Sequence, residues 1–181
     1  MTDLVAKKKE TAFGGELSYG DLAKIGHRIG SSKDISQVAF YLNKMKGEDS
    51  IEVQRSAAII ANASDESVDI FQEFVPDLIH ILRENVHRSA PRVTFRILEK
   101  IKDVPEQYLG ELVDISFKYL NKSDTSIAEK VFAMTVIANQ IEHYPDLKYE
   151  LEASLSAQVK TGSAGFRSRA ARIATKYGLE L

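Results

Sequence analysis

Shifted against itself in steps of 37, 38 and 38 residues, the chain lays apolar positions on apolar positions through four successive units. Val38 falls on Val75, Val113 and Leu151, and Leu42 falls on Ile79, Phe117 and Leu155. Met45 falls on Leu82, Leu120 and Gln158, with Val159 beside the last. Within each set the spacing is i, i+4, i+7, one face of a helix. The same steps carry into a second helix. Val53 falls on Ala90, Ala128 and Phe166; Ala57 on Thr94, Phe132 and Ala170; Ala58 on Phe95, Ala133 and Ala171; Ala61 on Leu98, Val136 and Ala174. These positions are smaller and richer in Ala. One register therefore runs through both helices of about four helical hairpins. A single hairpin cannot bury its apolar face alone, but four stacked together bury a continuous core.

The punctuation agrees with that register. Asp49 and Ser50, Ser89, Asp124 and Ser163 stand at or near the starts of second helices, where their side chains can cap free N–H groups. Pro76, Pro105 and Pro145 stand near the starts of first helices, where a missing N–H costs little, and Pro91 falls in the first turn of a second helix. The pattern predicts helices over 18–29, 35–46, 50–63, 67–85, 88–102, 105–121, 124–143, 145–160 and 163–177. It also predicts a flexible tail over residues 1–15 and one helical domain over 16–181.

Composition narrows the function classes. The net charge is −2, so global charge favours neither nucleic acid nor membrane. With no Cys there is no disulfide, thiolate zinc site or cysteine nucleophile. No apolar run approaches the roughly 20 residues of a membrane helix, and Lys7, Lys8 and Lys9 interrupt the place a signal peptide would need to be apolar. A cytoplasmic protein with no membrane contact is the expectation. Gly20, Gly26 and Gly30 lack the Gly-Lys-Ser/Thr ending of a phosphate loop and read as helix ends. No cofactor motif and no Gly-x-Ser-x-Gly elbow is present.

The second helices resemble those of the HEAT/armadillo class, in which an early Arg or Lys is followed by small residues. Asp49, Val53, Arg55, Ala57 and Ala58 fit that pattern. The period is a little short of the usual 40–47 residues or so, and tetratricopeptide and ankyrin signatures are absent. More narrowly, Arg88 to Ile101, Ile127 to Leu151 and Ser163 to Ile173 resemble a family of short, uncharacterised bacterial HEAT-like proteins. Members of that family are sometimes labelled adenylosuccinate lyase. That enzyme's flexible loop, with its catalytic Ser, has no counterpart here. The resemblance implies an all-α, right-handed α–α superhelix, with first helices on the outer wall and second helices on the inner, concave one.

The first candidate site is a basic ridge on that inner wall. Arg55 falls on Arg92, Lys130 and Ser168, the last flanked by Arg167 and Arg169. Arg88, Arg92, Arg96 and Lys100 also follow one another at i+4 steps. One cation per repeat at a single depth would make an anion track, and Arg55, Arg92, Arg96, Lys130, Arg167 and Arg169 are its candidate residues. The competing reading is a structural ladder, each cation satisfied by acidic or carbonyl groups of the next repeat. A second candidate, His80, Glu84 and His87, could share a metal only along one unbroken helix. A helix end at Asn85 and Val86 would turn His87 away, so a solvated face is expected there and no metal site.

The leading functional expectation is a non-enzymatic binding module for an acidic protein segment, with nucleic acid as the alternative partner. A DNA-repair glycosylase would also suit such a fold, but it usually needs aromatic platforms in a basic cleft. Trp is absent, and Tyr41, Tyr108, Tyr119, Tyr144 and Tyr149 mostly fall on the expected outer helices. The end face around Ile173, Ala174, Tyr177, Leu179 and Leu181 could support self-association. Arg169, Arg172 and Lys176 would give it a polar side, so a monomer is expected.

Overall fold

The structure, a computed structural model, describes residues 17–84 and 87–181, and every regular element among them is helical. In chain order the α-helices are α1 Tyr19–Ser32, α2 Ile35–Met45, α3 Ser50–Glu66, α4 Val75–Glu84, α5 Ser89–Leu98, α6 Glu106–Asn121, α7 Ile127–Asn139, α8 Leu147–Val159 and α9 Ala164–Tyr177. A 3₁₀ turn, Asp69–Phe74, leads into α4. The predicted tail over 1–15 lies outside the described residues, as do Asn85 and Val86. No described helix is long and apolar enough to cross a membrane.

Local chemistry sets the helix starts. Ser18 and Ser126 each form a capping box, with Asp21 and Glu129 returning a bond to the cap backbone. Asp49 accepts from the N–H groups of Ile51 and Glu52, and Ser163 from that of Phe166. Pro105 is the N-cap of α6. The true cap of α7 is therefore Ser126, two residues beyond Asp124. The predicted helix over 88–102 is also too long, because the chain winds into tighter turns after Leu98, with the Lys100 N–H bonded to the Ile97 carbonyl.

The helices form two layers. α1 packs on α3, α3 on α5, α5 on α7 and α7 on α9, which makes a continuous odd-numbered layer. In the even-numbered layer α2 packs on α4 and α4 on α6. Each hairpin, α2–α3, α4–α5, α6–α7 and α8–α9, joins the two layers. The repeat register is what fills the space between them. Val38, Leu42 and Met45 are buried, as are their counterparts Val75, Ile79 and Leu82. α7 is apolar on two sides. Ala133 and Val136 join the large cluster built from α1 to α6, while Met134, Ile137 and Ala138 join a second cluster with α8 and α9.

α1 belongs to no complete hairpin among the described residues. It extends the odd layer, and its glycines explain how. Gly26 and Gly30 are not helix ends; they are buried one turn apart inside α1 and face α3. A Cβ on Gly26 would lie 2.4 Å from the Ile59 carbonyl oxygen, and one on Gly30 would lie 2.6 Å from that of Ala63. Only the absence of a side chain lets the two backbones approach so closely.

Candidate binding surface

The odd and even layers carry opposite charge. The five odd helices hold ten Lys and Arg against five Asp and Glu, and α5 and α9 contain no carboxylate at all. The four even helices hold four Lys and Arg against seven Asp and Glu. A molecule of near-zero net charge thus has a cationic layer and an anionic one, and local field rather than net charge governs what approaches each.

Within the cationic layer the six candidate residues have different surroundings. Arg96 on α5 donates from Nη2 to both oxygens of Asp65 on α3, at 2.8 and 2.7 Å, and Lys100 donates to the same carboxylate at 3.0 Å. Arg169 on α9 donates from Nη1 to Glu99 at 2.8 Å and to the Thr135 hydroxyl on α7 at 2.7 Å. Lys130 on α7 turns toward α8 and donates to Gln158 Oε1 at 2.7 Å. Its ammonium is half-buried, and that burial lowers its pKa. Arg55 is half-buried beside Tyr41 and Ile51. Arg92 and Arg167 are exposed, the latter with Nη1 on the Gly162 carbonyl at 2.7 Å.

Arg88, Arg92, Arg96 and Lys100 do not share one helix. Arg88 is the N-cap residue of α5, and Lys100 stands past the helix's other end. His80 and Glu84 lie on α4, and His87 Nδ1 is engaged at 2.7 Å with the Ser89 hydroxyl at the start of α5, while the expected helix end at Asn85 and Val86 lies outside the described residues. Tyr41, Tyr108, Tyr119 and Tyr149 lie on even helices, and Tyr144 lies in the turn before α8. The Tyr119 hydroxyl donates to the Leu82 carbonyl at 3.2 Å. Burial, with the Glu129 carboxylate as a lesser cause, pushes its pKa up to about 12. At the chain's end, Ile173 and Leu179 are buried in the α8–α9 cluster and Leu181 is exposed.

Together these contacts make a polar ladder that bridges every neighbouring pair in the odd layer. His27 on α1 meets Glu66 on α3 at 2.6 Å, and Asp65 joins α3 to α5. The Asn139 amide on α7 donates to the Glu99 carbonyl after α5 at 2.9 Å, and Thr135 joins α7 to α9 through Arg169. Sequence reasoning named the cations of this ladder and missed Asp65, Glu66, Glu99, Thr135 and Asn139. At the register's own steps of 37, 38 and 38 residues, four of those five find no like residue, and Glu66 finds one only in Asp103. Glu99, for example, falls on Asn62 and Ile137, so self-comparison carried no signal for it.

The ladder leaves a rigid, partly neutralised surface with exposed cations at its margins. Such a surface can orient a ligand carboxylate or phosphate. No curated protein and no solved structure gives a match to the chain. A family model described as a HEAT repeat domain matches residues 10–177, nearly the whole length, and together with the all-helical two-layer stack it places the chain in the HEAT repeat family.

Proposed function

We propose that the chain is a non-enzymatic binding module whose odd-helix layer holds an acidic polypeptide segment. The observation that carries this reading is the charge division between layers, ten cations against five carboxylates on one and four against seven on the other. Arg92 and Arg167, both exposed, are the residues that meet the partner. Arg96 and Arg169 hold shared carboxylates and fix the surface between them, while Arg55 and Lys130 lie deeper at its edge. Asp65, Glu66 and Glu99 interrupt the positive field. A polypeptide can set its carboxylates between them, whereas a polyphosphate backbone with its continuous charge meets repulsion at each.

The test is fluorescence anisotropy with a labelled acidic peptide (Glu with interspersed Leu) and, separately, a short DNA duplex. Wild-type protein is compared with an Arg92→Glu/Arg167→Glu double variant. Binding of the peptide, weakened at least about tenfold in the variant, supports the reading. Duplex binding that falls with salt at a slope near −0.9 per phosphate would move the assignment to nucleic acid. Equal behaviour of wild type and folded variant toward both probes would remove the surface as a binding site.

A further inference from the structure

The even layer is open at one place. α6 and α8 meet toward their ends, where the Asn121 amide donates to the Ser154 hydroxyl at 3.2 Å and accepts from the Gln158 amide at 3.3 Å, but between their starting turns lies a cleft of about 550 Å³. That volume falls inside the range of roughly 300–1,000 Å³ typical of clefts that enclose a drug-sized group. Its apolar lining comes from Leu109 and Val113 on α6 and Leu147 on α8. Gly110 deepens it, because a Cβ there would meet nothing within 4 Å. Tyr144 stands at the mouth, its hydroxyl 3.3 Å from Glu106 Oε1, and desolvation, followed by the Glu106 carboxylate, raises its pKa.

The rim is predominantly acidic. Glu106, Asp146 and Glu150 line it beside the His143 imidazole, and among the described lining residues there is no Lys or Arg. Lys148, at the start of α8, turns away toward Gly178, whose Cβ position is 3.7 Å from its Nζ. Arg83, on the other side of α6, is committed to Glu111. An apolar floor under three carboxylates and a phenol selects a ligand that is apolar at its tip and cationic at its flanks. The carboxylates pair with the cations, and the tyrosine ring can accept a cation on its face.

We propose that the α6–α8 cleft docks a basic segment of a protein partner, one that inserts apolar side chains between flanking Lys or Arg. This surface belongs to the layer opposite the one assigned above and stands independently of it. If both assignments hold, the molecule bridges an acidic and a basic partner across its two layers.

The probe is a fluorescein-labelled peptide with Leu on one helical face and Lys elsewhere, run beside the same peptide with Glu for Lys. Gly110→Trp fills the cleft from an exposed helical position. Glu106→Lys/Glu150→Lys reverses the rim at two exposed side chains and serves should the Trp variant fail to fold. The expected result is preferential binding of the Lys peptide, weakened at least about tenfold by either change, with amide shifts centred on Leu109, Val113 and Leu147. Arg92→Glu/Arg167→Glu should leave that binding intact, so failure here and failure of the acidic-partner reading are separable. The proposal is overturned if the Lys peptide does not bind, if the folded variants bind it as the wild type does, or if the Glu peptide binds the cleft equally. It is also overturned if light scattering shows a dimer that Gly110→Trp dissociates, since the occupant would then be a second copy.

Discussion

Thr94 sits in α5 with 0% of its surface exposed, and its hydroxyl has no hydrogen-bond partner among the described residues. A buried hydroxyl that lost its water and gained nothing costs about 1–3 kcal/mol. Val has nearly the same shape without that penalty. Thr94→Val should therefore raise stability by about 1 kcal/mol, read as a higher urea midpoint with unchanged slope. A lower midpoint would mean that the hydroxyl has a partner in solution, such as a water. The register made the burial of Thr94 legible, because it aligns with Ala57 and Ala170, both buried. The orphan hydroxyl was not legible, since satisfaction depends on which neighbours lie within bonding distance. The same limit applied to the ridge. The sequence showed where Arg96 and Arg169 stand along their helices, but not that Asp65 and Glu99 wait opposite them. Those pairings cross from repeat to repeat between positions that do not correspond.

At the scale of the element, glycine has two opposite meanings here. Gly26 and Gly30 lie inside α1 because α3 leaves no room for a Cβ, whereas Gly110 lies inside α6 with open space beside it. Gly26→Ala must push α1 away from the Ile59 carbonyl, and the expected loss is about 3 kcal/mol, overpacking outweighing the better helix propensity of Ala. Gly110→Ala keeps only the propensity gain and should stabilise by about 0.5–1 kcal/mol. Thermal unfolding of the two variants side by side checks the contrast, and a stabilised Gly26→Ala would mean that the close α1–α3 approach is not obligatory. Helix positions were largely readable from the apolar period and the capping residues. What was not readable was the role of a glycine, since a helix end and a helix crossing both favour it. The cleft between the starting turns of α6 and α8 was equally invisible, because the register aligns their core positions and is silent on the distance between helices.

For the molecule as a whole, the central question is how far one repeat feels another. A helical stack is held chiefly by nearest-neighbour interfaces, so its ends can loosen independently. The Arg169–Glu99 pair departs from that rule, because α9 reaches past α7 to the end of α5. The two side chains are only 23% and 13% exposed, so truncating one leaves a charge largely out of water. Arg169→Ala should destabilise by about 2–3 kcal/mol, near the low end for a broken buried pair. Arg169→Met/Glu99→Met removes both charges and should recover most of that loss, since replacing a buried pair by apolar groups is often close to neutral. The two variants also differ in where the loss falls. In Arg169→Ala, amide exchange should quicken in α8 and α9 while α1 to α3 keep wild-type protection, because the second core cluster is then tied to the first only through the packing of α6 and α7, which contribute to both. Uniform acceleration along the chain would instead show that the repeats unfold as one unit, and that this pair adds stability without setting where the stack opens.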